Sequence, residues 1–215
     1  MADWLLDNQS APGTGSAGQS VVWVDSVAKT LCVKDDAGRV SAYTGNASVT
    51  AMAAGFAVDT YLTNSDLIIP SCGLQTKAKF FWQMSASKTN AGVAGPIYVV
   101  RIGTGKATTD TARLTLTGPA QTAVVDIGTL NIMVVVRVAG AACVIAGSAW
   151  WNHRGTAANT TTSGTGFAND STGHIEGTSA AFDASALVGQ YIGISINGGL
   201  NAVWTPTIVT AEASW

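Results

Sequence analysis

The chain has two histidines, His153 and His174, and any general-base chemistry centred on imidazole must use one of them. Gly193-Ile194-Ser195-Ile196-Asn197 comes close to a nucleophile elbow, but it lacks the closing glycine and its serine falls inside an alternating strand pattern. His174 has Glu176 two residues on, a pair that can in principle move a proton or ligate a metal. No cysteine pair accompanies it, and both residues read as solvated positions in a Gly/Thr-rich loop. Glycoside hydrolysis needs two carboxyl groups of separated acidity across one cleft. Glu176, Glu212 and eleven scattered aspartates single out no such pair. The run from Gly13 to Gly18 spells a dinucleotide fingerprint, yet a linker precedes it and a strand follows, so no helix N-terminus is there to receive a phosphate. Gly105-Lys106 is followed by Ala107 and reads as a turn. Cys32, Cys72 and Cys143 are widely spaced and odd in number, which predicts reduced, mostly buried thiols, with an intersubunit disulfide formed outside the cell as the lesser alternative. The expectation is a non-enzymatic protein with no catalytic residue, no cofactor and no metal.

The aromatic residues offer more. Neighbouring side chains on a strand point to opposite faces, so Trp150 and Trp151 cannot both enter one core. One of them must meet a second subunit, solvent or a ligand such as a sugar ring, and Trp150, Trp151 and His174 together form the candidate contact surface.

The elements that must position these residues are strands. The 215 residues include 21 Val, 12 Ile and 11 Leu against 2 Glu and 6 Lys, a usage that favours β-structure over helix. Phe80, Trp82 and Met84 share one face of a strand, and Lys79, Phe81, Gln83 and Ser85 the other. Leu130, Ile132, Val134, Val136 and Val138 form a second inward row opposed by Asn131, Met133, Val135 and Arg137, and Ile192, Ile194 and Ile196 form a third. Gly- and Asn-rich turn clusters separate the runs at the spacing of an antiparallel β-sandwich. Pro206 cannot donate to a ladder, which places the last strand at an edge or puts a bulge there. Residues 51–57 are the best candidate for a helical turn, and residues 155–179 read as a long surface loop.

Three segments follow. Residues 1–18 comprise an apolar anchor, Trp4, Leu5 and Leu6, joined to a Gly/Ser/Pro linker. Residues 19–45 form a small β-meander, too small to bury much apolar surface alone, with Trp23 and Val33 expected to meet another subunit. Residues 46–215 form the sandwich head.

With 11 Lys+Arg against 13 Asp+Glu, the chain lacks the basic footprint that nucleic-acid binding requires. Asp3 and Asp7 flank the short apolar triplet, unlike a secretion signal, and Arg137 interrupts the longest apolar stretch, so neither export nor membrane insertion is expected. After Arg113, seven charged side chains occur in 102 residues, sparse for an isolated monomer and suited to burial in a homo-oligomer.

Several turn phrases are familiar. Gly18-Gln19-Ser20-Val21-Val22-Trp23-Val24-Asp25 leads to Lys34-Asp35-Asp36-Ala37-Gly38. Asp59-Thr60-Tyr61-Leu62-Thr63-Asn64-Ser65 follows, then Asp110-Thr111-Ala112-Arg113-Leu114, then Ile194-Ser195-Ile196-Asn197-Gly198-Gly199. Together they resemble tailed-bacteriophage virion fibre and decoration proteins. The resemblance implies a jelly-roll-like, typically homotrimeric virion protein, made in the bacterial cytoplasm and attached to capsid, collar or tail through its N-terminal segment. An alternative role is recognition of a host-surface glycan by the head. No catalytic motif comes with the resemblance.

Overall fold

Period-two alternation of apolar side chains favours extended backbone wherever one face can be buried. The computed structural model, which describes residues 8–48, 50–52, 56–88, 94–121, 125–155, 174–199 and 204–215, follows that pattern closely. Its strands are β1 (Asn8–Gln9), β2 (Val21–Asp25), β3 (Leu31–Lys34), β4 (Val40–Ala47), β5 (Thr60–Tyr61), β6 (Leu67–Ile68), β7 (Lys79–Lys88), β8 (Ile97–Gly103), β9 (Thr111–Thr117), β10 (Asp126–Val138), β11 (Val144–Gly155), β12 (Ile175–Thr178), β13 (Tyr191–Asn197) and β14 (Trp204–Ser214). A 3-10 turn, Gly140–Ala142, joins β10 to β11 and is the one helical segment among the described residues.

Two sheets face each other. The larger has the order β1-β2-β3-β4-β14-β7-β10-β11-β12, antiparallel except for the parallel β1–β2 pair. The smaller runs β5-β13-β8-β9, with β6 pairing the same edge of β13 as β5. The fold is therefore an all-β sandwich, as the alternation predicts. Phe80, Trp82, Met84, Leu130, Ile132, Val134 and Val136 from the large sheet interdigitate with Tyr98, Val100, Ile102, Leu114, Leu116, Ile192, Ile194 and Ile196 from the small one. The layers close most tightly where glycine replaces a side chain: a Cβ on Gly147 would stand 2.9 Å from both Leu114 and Val134, and one on Gly177 would stand 2.7 Å from Leu116.

Two expectations need correction, a third resolves between its alternatives, and a fourth lies partly outside the described residues. Val138 is 46% exposed, because the register of β10 against β11 shifts between Val136 and Val138 and turns the last side chain out of the core row. Pro206 does not mark an edge: β14 lies between β4 and β7, and the alternative expectation holds, a register shift between Pro206 and Ile208. Within the expected loop, residues 156–173 lie outside the described residues, but Ile175–Thr178 is a strand, β12, on the β11 edge. Glycine- and threonine-rich sequence hid it, although Gly177 is what lets this strand approach Leu116. Of the helical candidate, residues 53–55 lie outside the described residues and 51, 52, 56 and 57 are not helical.

The meander is continuous with the head. β4 pairs β3 on one side and β14 on the other, so the boundary expected near residue 45 falls inside a strand that belongs to both. Trp23, expected at a subunit interface, is fully buried within its own chain among Cys32, Val40, Ala42, Ala11 and Cys72. The small core is closed by the head, through the turn bearing Ser71 and Cys72, and needs no second copy. Asp25 fastens that closure. One carboxylate oxygen accepts from the amides of Val27 and Ala28 at 2.9 and 2.8 Å, and the other accepts from the amide of Ser71 at 3.1 Å and from its hydroxyl.

Candidate functional site

The outward face of the large sheet is laid out by register. One row across eight strands reads Val24, Leu31, Tyr43, Ser214, Lys79, Val135, Ala146 and Thr178. The next reads Gly45, Glu212, Phe81, Met133, Ser148 and Glu176, and a third Ala47, Thr210, Gln83, Asn131 and Trp150. Described residues of the small sheet lie only on the opposite, core side of these strands. Among the described residues the face stays open, and it carries exposed apolar side chains, Tyr43 58%, Leu31 55%, Ile127 57% and Met133 40%, beside the half-buried Phe81, Val135 and Trp150.

The two tryptophans divide as expected. Trp151 turns inward, 7% exposed; its Nε1–H donates to the Tyr98 hydroxyl at 2.7 Å, and its ring meets Trp204 edge-on at 5.3 Å between centroids. It is thus removed from the candidate contact surface. Trp150 turns outward between Phe81, 6.4 Å away, and His174, 6.2 Å away, forming a short aromatic run over β7, β11 and the start of β12. His174 and Glu176, two apart at the beginning of an edge strand, project to one side, with Nε2 and Oε1 2.9 Å apart and side chains 50% and 77% exposed. Beside this run lies an open concavity of about 510 Å³, bordered by Met133, Val135, Arg137, Ser148 and Glu176. On the same face the Gln83 Nε2–H donates to Asn131 Oδ1 at 3.1 Å.

Among the described residues, no third group completes His174 and Glu176 into a relay, and no cluster of three or more metal-ligating side chains occurs. Ser195 is fully buried on β13 and accepts a hydrogen bond from Arg101 Nε at 2.7 Å, the opposite of an activated nucleophile. The backbone at His153 lies in β11; its side chain lies outside the described set.

The outward face of the small sheet carries a polar network that the spacing of residues did not reveal. The Arg101 guanidinium pairs with Asp59, donates to Ser195 and donates to the Asp110 carbonyl at 2.8 Å. Asp110 in turn accepts from the amides of Gly105 and Ala107 at 2.9 and 3.3 Å. Lys106 pairs with Asp66 at 2.7 Å and sits 4.0 Å above the Tyr191 ring. Gly193 leaves the space that Tyr61 occupies, and burial pushes the Tyr61 phenol well above its ordinary range. Asp59, Asp110 and Ser195 come from three separate turn phrases, and the Arg101 guanidinium ties all three together beside β13.

The N-terminal arm is also placed. Composition predicts a flexible tether over residues 10–18, but the segment is fastened along its length. β1 adds in parallel to β2, the Ala11 amide donates to Ser71 Oγ at 2.8 Å, Lys34 Nζ donates to the Pro12 carbonyl at 2.8 Å, and the Gly18 amide donates to Asp36 at 2.6 Å. The expected anchor residues Trp4, Leu5 and Leu6 lie outside the described residues. Val33 is half-buried on the outward face, paired with Val22.

The thiols agree with expectation: all three are free, Cys32 and Cys143 buried and Cys72 partly so. Burial pushes the Cys32 thiol up to about 11 and the Cys72 thiol up to about 12, each reinforced by neighbouring negative charge.

No protein-family model matches the chain, and no curated protein matches it. Among solved structures, the chain is similar to lectin I from Ulex europaeus, in complex with the methyl glycoside of α-L-fucose, at 12% identity and a TM-score of 0.34, with 91% of this chain and 97% of that chain covered. A likeness of that degree carries no argument about what this chain binds.

Proposed function

We propose that the chain is a non-enzymatic structural subunit of a bacteriophage virion, a head or collar decoration protein or short fibre, joined to the particle through its N-terminal segment. The observation that supports this most directly is the fastened arm. A Gly/Ser/Pro stretch free to wander costs conformational entropy to hold, yet residues 8–18 are held by a parallel strand pair and three further hydrogen bonds. On this reading Trp4, Leu5 and Leu6, which precede the held arm in sequence, serve as an apolar plug for another virion protein. The resemblance in turn phrases and the sparse charge point the same way. Deleting residues 1–9 should abolish incorporation into particles while leaving the thermal transition of the head within a few degrees of the full chain. Normal incorporation of the deletion variant would refute the anchor.

A second reading is favoured by the aromatic run alone. Phe81, Trp150 and His174, with Glu176 and the adjoining concavity, offer ring faces and polar groups to a host-surface sugar. Under it, Trp150→Ala lowers cell adsorption at least tenfold; unchanged adsorption removes it.

A further inference from the structure

We infer that the outward face of the large sheet is buried against a second copy of this chain. The inference names a two-fold, face-to-face contact, which is a different contact from the three-fold assembly that the resemblance implies. It rests on the virion-subunit reading only for its biological setting, because the physical case is independent.

The first element of that case is area. Nine strands at a spacing of about 4.8 Å span roughly 38 Å. The central strands, β7, β14 and β10, have 10, 11 and 13 residues and so run about 34–44 Å. Allowing for shorter outer strands, the open face covers about 1,000 Å², above the roughly 800 Å² per partner of a stable interface. The second element is composition. Exposed apolar side chains occur from one side of the face to the other: Val22 and Leu31 on the meander, Tyr43 on β4, Ile208 on β14, Ile127 and Met133 on β10. Monomeric soluble proteins rarely leave an apolar patch of more than a few hundred Å² in water.

The third element is charge. Among the described side chains, Lys79, Glu176 and Glu212 are the charged members of these rows and Arg137 borders the adjoining concavity, two of each sign. A nucleic acid or an acidic surface would find no net attraction there. A copy of the same face carries the same balanced set, so rotation of one copy against the other can bring Lys79 or Arg137 onto Glu212 or Glu176 without leaving an excess of either sign. The meander contributes through its outer side, Val22, Leu31 and Val33, while Trp23 stays in the core beneath them. Val33 thereby retains the interface position that sequence reasoning gave it.

Sedimentation velocity of the full chain tests the inference. The wild type should sediment as an oligomer, with a dissociation constant tighter than about 10 µM. Tyr43→Asp combined with Met133→Asp should raise that constant at least about 100-fold, since two charges would be buried without partners. Val58→Asp alters a residue 70% exposed in the turn before β5, away from the face, and should leave the oligomer intact. Should the double variant fail to fold by circular dichroism, Leu31→Lys places a single charge at the meander end of the same face and should dissociate the oligomer likewise. A wild type that stays monomeric at about 100 µM, or an oligomer as sensitive to Val58→Asp as to the face variants, would overturn the inference. An oligomer indifferent to the face variants whose glycan binding is lost instead would also overturn it, in favour of a ligand surface. Failure of the arm deletion to block particle incorporation is a separate result that bears on the anchor alone.

Discussion

Trp150 and Trp151 are adjacent in sequence and should differ by several kcal/mol when truncated. Trp151 is 7% exposed, seated against Trp204 and bonded to Tyr98. Removing an indole of roughly 200 Å² at about 25 cal/mol per Å² forfeits about 5 kcal/mol, within reach of the 3–5 kcal/mol typical of buried aromatic truncations. Tyr98 is itself 1% exposed, so its hydroxyl loses a partner that water cannot easily replace, for a further cost of about 1–3 kcal/mol. Partial collapse of the cavity returns some of this, and Trp151→Ala should therefore cost about 4–6 kcal/mol, a large share of the stability of a single domain. At about 2–4 °C per kcal/mol for a chain of this size, the melting temperature should fall by about 8–24 °C. Trp151→Phe keeps most of the packing and should cost about 1–3 kcal/mol, chiefly the lost donor. Trp150 lies on the open face, and its truncation should stay within about 1 kcal/mol. Urea titrations followed by far-ultraviolet circular dichroism read all three. Equal midpoints for Trp150→Ala and Trp151→Ala, or a larger loss for Trp150→Ala, would refute the assignment of faces on β11 and with it the register of β10 and β11.

Three other outcomes follow from the same physics. Burial raises the Asp25 carboxyl, but the hydrogen bonds from Ser71, Ala28 and Val27 outweigh it and hold the group below its ordinary range. Its stabilising contribution should be complete above about pH 4 and fade as the pH falls further, and Asp25→Asn should cost about 2–4 kcal/mol and flatten that acid limb in a pH series of urea midpoints. The Cys32 and Cys72 thiols, raised to about 11 and about 12, stay protonated in the folded chain where unfolded thiols begin to ionise. Their contribution is therefore present below about pH 9 and lost as pH rises towards those values, at up to about 1.4 kcal/mol per pH unit for each thiol; native iodoacetamide labelling at pH 8 should be far slower than labelling in urea. Asp126 stands opposite Lys88 in the β10–β7 register, both fully buried, and its charge counters the desolvation that lowers the Lys88 ammonium. Asp126→Asn should cost about 3–5 kcal/mol, while Asp126→Leu combined with Lys88→Met should recover much of that loss in thermal unfolding.

The rows that build the sandwich core were legible because each is a clean alternation: Phe80, Trp82 and Met84, or Ile192, Ile194 and Ile196, leave one possible inward face. The same alternation already placed Phe81, Met133 and Arg137 on the side that proves open. It failed at Val138, where a register shift breaks the period, and at β12, where glycine and threonine give no hydrophobic signal and the strand is held by pairing to β11 instead. Sequence alone directs Trp23 to another subunit, because a meander of about 25 residues buries little apolar surface by itself. The missing information was long-range: Ser71 and Cys72, some fifty residues away, cover it. The Arg101 network was equally hidden, since Asp59, Arg101, Asp110 and Ser195 meet only after β5, β8 and β13 have paired. Linker composition also misdirected, because a sequence able to be flexible becomes fixed once Lys34, Asp36 and Ser71 supply partners for its backbone.

The most direct test of the chain as a virion subunit is quantitative mass spectrometry of purified phage particles from a culture that expresses it. The account predicts that the intact chain copurifies with the particles in fixed stoichiometry to the other virion proteins, and that the variant lacking residues 1–9 stays in the lysate. A chain abundant in the lysate and missing from the particles would contradict it.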